Sequence, residues 1–411
     1  MKRLQAFKFE LMPGGGQQRD MCRFAGARRF VFNRALDIQK ANYAAGGKFI
    51  GYVDMANRLP EWKKEFEWLK EPPSQSLQQS LKDSERAFKN FFEKRAGFPQ
   101  PKKKGRGESF RFPQGFRIDQ SNSRTFLPKL GWMRYRNSRG ILGTAKNITV
   151  SQTGGKWFAS IQTEREVGQP IPAATNAIGI DMGIARFATL SDASFVEPLD
   201  SFKKHEHRLK KYQRRMSRKV KNSRNWHKAK RKVQNIHTRI GNARKDFLHK
   251  KTSEISKNHA MVAIEDLQVG NMSKSSKGTA EAPGKNVAAK SGLNKAILDQ
   301  GWFEFRRQLE YKLAWSGGIL IAVPAHYTSQ TCPACGHIAK ENRQTQARFA
   351  CVDCGYQNHA DVVGAMNILA RGYRVAACGE DGSGSGRKTR TKPASVKQEP
   401  AEVTMREAAH A

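Results

Sequence analysis

The chain has little cysteine, few acids and no long apolar run, and each shortage excludes something. Its 411 residues include six cysteines, of which only Cys22 and Cys378 stand apart from one cluster, so a disulfide-dense secreted scaffold is excluded. No apolar stretch reaches the ~18–20 residues that span a bilayer, and the start of the chain lacks the apolar core of an export signal. This composition predicts a chain with no membrane association that works in the cytosol. No internal repeat is present. Acids number 36 against 74 Lys+Arg, a formal net charge of +38. Charge so far from zero repels itself unless a polyanion neutralises it, which points to nucleic acid as the partner.

The four remaining cysteines, Cys332, Cys335, Cys351 and Cys354, form a C-x2-C-x15-C-x2-C quartet. Pairs two residues apart sit on tight knuckles that aim two thiolates at one tetrahedral ion, and the interval between pairs suits a zinc ribbon. Each pair is followed by glycine, the residue such a turn needs. Two disulfides would satisfy the same spacing, but the intracellular composition favours zinc.

Along the chain, Leu4–Leu11 alternates like a strand. Met21–Tyr43, Met55–Leu69 and Ser74–Lys94 carry helical periodicity, the last with Ser74 as its cap. Pro99–Gly107 is a basic linker. From Ser109 to Val167 the texture is that of strands, with a hairpin at Thr153–Lys156. There Arg111, Arg117, Arg124, Lys129, Arg134, Arg136 and Arg139 interleave with Phe110, Phe112, Phe116, Phe126, Trp132 and Tyr135. That mixture fits either phosphate contact with base stacking or a basic face over an aromatic core.

Ala177–Leu190 reads as strand, turn and strand. Phe202–Asn258 is rich in Lys and Arg, with Glu206, Asp246 and Glu254 as its acids. Narrow seams through Leu209, Tyr212, Met216 and Val220, then Val233, Ile236, Ile240 and Phe247, predict two antiparallel helices with basic outer faces. His205 and His207 flank a charged residue on a helix and are poor metal ligands. Met261–Leu267 is a buried strand, Ser273–Gly292 a mobile loop, Trp302–Ala314 a helix, Gly318–Val323 a strand and Asp361–Leu369 a short helix. Cys22 is expected in the core and Cys378 as a free thiol at the edge of a disordered tail.

Asp181 and Glu265 each end an apolar strand, and Asp361 opens a helix just past the quartet. Gathered together, hard carboxylate oxygens suit Mg²⁺ or Mn²⁺, and such a site hydrolyses phosphodiesters. Singly, each has a plainer reading: a turn acid, a strand-end acid and a helix cap shared with Asn358 or His359.

Ile180-Asp181-Met-Gly-Ile, Ile264-Glu265-Asp-Leu and Asp361-Val-Val-Gly-Ala-Met-Asn-Ile-Leu resemble the three RuvC motifs of the TnpB family. These are transposon-encoded RNA-guided nucleases related to type V CRISPR effectors. Tyr327-Thr-Ser-Gln-Thr-Cys332 is similar to that family's zinc-finger insertion, and Phe7–Pro13 and Arg28–Leu36 fit its start. The resemblance spans residues 1–372. It implies an α/β multidomain protein with an RNase H-like RuvC nuclease domain at 173–325 and 357–372, containing a basic hairpin at 203–257 and a loop at 273–292. A zinc-ribbon insertion would occupy 326–356. A wedge-type β-barrel at 1–15 and 106–172 would be interrupted by a helical recognition insert at 16–105, and 373–411 would be a disordered tail. It further implies a guide RNA, a double-stranded DNA target beside a short transposon-adjacent motif, and a monomeric ribonucleoprotein. Asp181, Glu265 and Asp361 would hold catalytic Mg²⁺ or Mn²⁺, and Cys332, Cys335, Cys351 and Cys354 structural Zn²⁺. One departure stands out: the family often has Asp-Arg-Asp where this chain has His359-Ala360-Asp361, so an acid and an arginine are missing. A guide-dependent DNA-binding regulator that does not cut is the competing reading. A strand-transferring transposase and a guide-independent nuclease are less well supported.

Overall fold

The N-terminal strand does not stay with its neighbours in sequence but returns to the centre of a sheet built mostly from residues after position 108. The computed structural model describes residues 1–279 and 281–377. Strand β1 (Lys2–Met12) buries Phe7, Phe9 and Leu11 on alternate positions. It is followed by α1 (Gly15–Ala44), α2 (Tyr52–Ala56), α3 (Leu59–Glu65) and α4 (Ser74–Phe92). The helix expected over 55–69 is therefore broken. Pro60 falls in the first turn of α3, where its missing N–H costs nothing, and a 3₁₀ turn, Glu67–Lys70, ends the segment. Ser74 does not cap α4; its hydroxyl accepts from Lys63 Nζ (2.6 Å), while Ser76 Oγ donates to the Pro73 carbonyl (2.9 Å). These helices share an apolar cluster of Ala27, Val31, Leu59, Trp62, Leu77 and Leu81. Cys22 is exposed on α1 rather than in the core.

Strands β2 (Ser109–Phe112), β3 (Arg117–Asp119), β4 (Arg124–Leu127), β5 (Gly131–Tyr135), β6 (Thr144–Thr153) and β7 (Lys156–Glu166) complete the first sheet. Its order is β2-β6-β7-β1-β5-β4-β3, antiparallel throughout, with β2 and β3 as unpaired edges. The hairpin pairs Thr153 with Lys156, as its turn signal predicts. Inward side chains of six of these strands, together with Met21 and Phe24 of α1, form one core. Phe110, Phe112 and Tyr135 belong to that core, so of the aromatics named above only half-buried Phe116 and Phe126 and exposed Trp132 reach the surface.

The second sheet is made of β8 (Ala177–Asp181), β9 (Ala188–Leu190), β10 (Phe195–Val196) and later strands. Helices α5 (Ser201–Ser217) and α6 (Arg224–Asn258) then form the basic hairpin, closed by Leu209, Val233, Ile236 and Ile240 with Phe202, Tyr212 and Met216. Val220 is not in this seam; it lies in the connecting loop, 80% exposed. After β11 (Met261–Glu265) come α7 (Val269–Met272), α8 (Val287–Gln300) and α9 (Trp302–Ser316). Helix α8 takes residues 287–292 out of the expected loop, because Val-Ala-Ala-Lys favours a helix strongly enough to carry Ser291 and Gly292. Next are β12 (Ile319–Val323), β13 (Arg348–Ala350), β14 (Gln357–His359) and α10 (Ala360–Ala377). Helix α10 outruns the expected Asp361–Leu369 and takes residues 373–377 out of the expected tail. The rest of that tail and Cys378 lie outside the described residues.

This sheet runs β10-β9-β8-β11-β12, with β8, β11 and β12 parallel. Both faces are covered, which is why β11 reads as an unbroken apolar run. Ile178, Ile180, Val262 and Ile264 pack with residues of α6 and α9, whereas Met261, Ala263, Ile321 and Val323 pack with Ile368 of α10. Among the described residues, no helix is long and apolar enough to cross a membrane.

Candidate carboxylate site and four-cysteine cluster

Parallel pairing of Ile180 with Ile264 sets the next residues, Asp181 and Glu265, at neighbouring strand ends. Helix α10 brings Asp361 to them in its first turn. The crossing depends on two glycines. A Cβ on Gly179 would lie 2.2 Å from the Ala365 carbonyl oxygen, and one on Gly364 would lie 3.0 Å from Asp181 Oδ2. At Gly179 only backbone fits between β8 and α10, whereas at Gly364 a Cβ would press on the Asp181 carboxylate, a side chain that can turn away.

Three acids in a partly buried site repel each other. Burial, then the charges of Glu265 and Asp361, push Asp181 up to about 7, with Arg343 opposing. Glu265 is likewise raised by burial, against a hydrogen bond from Thr328 and the charges of Arg371 and Arg343. Thr328 Oγ1 donates to Glu265 Oε1 at 2.6 Å. Arg343 Nη2 lies 3.4 Å from Asp361 Oδ1. His359 caps α10, its Nδ1 accepting from the Asp361 backbone N–H at 3.2 Å. Asp361 thus sits within the first turn and is not itself the cap. Hard oxygen donors whose repulsion leaves one acid poorly ionised are a donor set that fits a divalent cation.

Sequence reasoning missed Arg343 and Thr328. Arg343 lies in the irregular stretch between the cysteine pairs, where no periodicity marks a residue. Thr328 stands in a run of polar residues, and only the tertiary contact separates it from its neighbours.

The four cysteine Sγ atoms all lie within 4.8 Å of one another. None is disulfide-bonded. The two knuckles are built alike: Gly336 N–H donates to the Cys332 carbonyl (3.0 Å) and Gly355 N–H to that of Cys351 (3.1 Å), with φ of +77° and +74° at the glycines. Four thiolates so arranged fit a structural zinc. The cluster adjoins the carboxylates through the β13–β14 pair, whose last residue is His359.

On the basic surface, Arg117 and Arg124 stack over Phe126 and Trp132 at 5.1 and 4.6 Å. At the tip of the α5–α6 hairpin, Tyr212, Arg215, Lys219, Lys228 and Lys232 line a cavity of about 420 Å³. His205 is engaged by its own helix, its Nδ1 2.9 Å from the Ser201 carbonyl.

Fold and site together define a mixed α/β protein with a four-cysteine metal-type cluster beside converging carboxylates. Family models described as "Probable transposase", "Cas12f1-like, TNB domain" and "Helix-turn-helix domain" match residues 160–276, 302–368 and 1–48. The last of these segments is here one strand and one 30-residue helix with the start of a loop. A "Putative RNA-guided DNA endonuclease InsQ" of Escherichia coli K12 is 59% identical over 405 residues, 98% of this chain and 99% of that protein. A "Putative RNA-guided DNA endonuclease" of Streptomyces pristinaespiralis is 34% identical over 97% of each chain. A cryo-EM structure of a Cas12f1–sgRNA–target DNA complex aligns with a TM-score of 0.49 at 14% identity, covering 90% of this chain and 99% of that one. The chain belongs to the TnpB family.

Proposed function

We propose that this chain is an RNA-guided DNA endonuclease whose cutting site is Asp181, Glu265 and Asp361. The observation that carries this reading is the meeting of three acids from β8, β11 and α10, with Asp181 pushed up to about 7. The strand order supports an RNase H-like nuclease: an antiparallel three-strand meander, extended by two parallel strands reached through helices. A divalent cation, Mg²⁺ or Mn²⁺, held by these carboxylates supplies water activation and charge neutralisation at the phosphodiester. Arg343 moderates the repulsion among the acids and presents a cation where a phosphate oxygen would arrive.

In this reading residues 1–15 and 106–172 form the wedge, 16–105 the recognition insert, 173–325 and 357–372 the nuclease unit, and 326–356 the zinc ribbon. The basic hairpin and the Arg117–Arg124 aromatic patch hold a guide RNA and its heteroduplex with target DNA through the backbone, while base pairing supplies the sequence. Close identity to relatives named RNA-guided DNA endonucleases along their whole length supports this. The loss of Asp-Arg before Asp361 favours a second reading, a guided DNA-binding regulator without cleavage.

The test is to purify the chain with co-expressed RNA and offer matching and non-matching duplexes with Mg²⁺, with and without ribonuclease. Cutting that requires intact RNA, a matched target and Asp181, lost in Asp181→Ala without loss of RNA binding, is the expected result. Tight matched binding with no cutting would leave the regulator.

A further inference from the structure

The segment between β12 and the first cysteine pair is more rigidly held than a connector requires. Tyr327 occupies the left-handed region at φ +59°, although its side chain is exposed and gains no burial there. A bulky residue in that conformation is retained where its surroundings overdetermine it. Here they do: the Tyr327 carbonyl accepts from Gln330 N–H, Thr331 N–H and Thr331 Oγ1 at 3.1, 3.1 and 2.7 Å. Helix α10 clamps the same turn. Asn367 Nδ2 donates to the Thr328 and Thr331 carbonyls at 2.8 and 2.7 Å, and Arg371 donates to those of Pro324 and His326 at 2.9 and 2.6 Å. Thr328 is 3% exposed, and Asn367 is buried with it.

Pinning the turn fixes one side chain that reaches the acids. Thr328 Oγ1 makes the one side-chain hydrogen bond to the Glu265 carboxylate found among the described residues, at 2.6 Å. Its own hydroxyl oxygen also lies 3.1 Å from the Ala325 carbonyl, a weaker alternative for the single proton. The bond occupies Oε1 and leaves Oε2 as the oxygen free for a ligand. Because the clamp comes from α10, the helix that carries Asp361 also sets the rotation of Glu265.

We infer that Thr328 is a positioning residue for Glu265, held by Asn367 so that the turn before the zinc ribbon and helix α10 set two of the three carboxylates relative to each other. This rests on the nuclease reading above. Carboxylates that bind metal are themselves hydrogen-bonded, and removing such a partner lowers metal affinity or activity by about 10- to 100-fold.

The experiment compares Thr328→Val, which keeps the shape and loses the hydroxyl, with Thr328→Ser, which keeps the hydroxyl, both as ribonucleoproteins. Single-turnover cleavage of a matched duplex is expected to slow about 10- to 100-fold in the valine variant and to recover most of its rate in the serine variant. The dissociation constant for matched DNA and the zinc content are to remain as in the parent, while Mn²⁺ titrated by calorimetry binds about tenfold more weakly to the valine variant. Asn367→Ala, which leaves the hydroxyl but frees its turn, is to show the same slow cutting with unchanged DNA affinity, and it serves if the valine variant does not fold. Wild-type cutting by Thr328→Val or by Asn367→Ala overturns the inference. So does a serine variant as slow as valine, or a loss of zinc and DNA affinity that tracks the loss of rate. Failure of the parent reading looks different: the unaltered protein does not cut, or Asp181→Ala does.

Discussion

The guanidinium of Arg343 lies 3.4 Å from the carboxylate of Asp361, although the two are separated in sequence by the second cysteine pair and the β13–β14 hairpin. The zinc ribbon therefore hands a cation to the acids. This bears on the one departure from the family pattern. Ala360 cannot supply the arginine often found beside the last acid, but a guanidinium from the ribbon stands at that carboxylate. Arg343→Gln is expected to slow single-turnover cleavage by about 10- to 100-fold with matched-DNA affinity preserved. Arg343→Lys should recover only part of the rate, since a point charge replaces a planar fork. A glutamine variant that cuts like the parent would remove Arg343 from the site.

Asp181 makes the cation-free protein sensitive to pH. Its carboxyl is pushed up to about 7 in the fold, above the 3.8 of the free side chain, so the folded state binds the proton more tightly than the unfolded one. The sign follows: this group lowers stability as pH rises from about 4 to about 7, and the loss is complete above that. Thermal melts of zinc-loaded protein without added Mg²⁺ or Mn²⁺ across this range should show the decline. Asp181→Asn should make it shallower, the remainder coming from Glu265, which burial also raises. Added Mg²⁺ should raise the melting temperature more at pH 8 than at pH 5. Equal pH slopes in the two proteins would contradict the assignment.

Gly179 and Gly364 separate stability from geometry. In Gly179→Ala the new Cβ would meet the Ala365 carbonyl oxygen at 2.2 Å and Leu369 Cβ at 2.8 Å, contacts that backbone cannot yield. Overpacking of this kind costs about 1–3 kcal/mol or more, visible as a lowered denaturant midpoint. In Gly364→Ala the contact is the Asp181 carboxylate itself at 3.0 Å, which can rotate away. That variant should fold nearly as well as the parent, bind guide RNA, and lose cleavage.

If the four cysteines hold a zinc ion, its removal should disable the carboxylates without touching the basic hairpin. Cys332 and Cys351 are buried, and the ribbon carries both Arg343 and the approach to His359, which caps α10. Cys351→Ser, or prolonged chelation followed by return of Mg²⁺ alone, is expected to abolish cutting while RNA retention on a filter stays within about twofold, since in the proposed reading the basic hairpin supplies the RNA contacts. Full cleavage without bound zinc would uncouple the ribbon from the site.

Local pattern was enough for much of this. The knuckles, the seams of α5 and α6 and the apolar run of β11 are readable because hydrogen bonding and burial repeat at short range. Two-residue β10, the break between α2 and α3 and helix α8 were not, because a short strand has no period and the Ser, Gly and Pro residues just before α8 mask its helix-forming start.

By itself the sequence determined the excess of positive charge, the knuckle spacing of the quartet and the three acids at the ends of their elements. These are properties of residue chemistry and spacing. Only the tertiary structure decided that β8, β11 and α10 meet, that glycine lets them meet closely, and that Arg343 and Thr328 stand at the acids. Such contacts depend on chain segments brought together by packing, and no local period encodes which polar side chain will face the site.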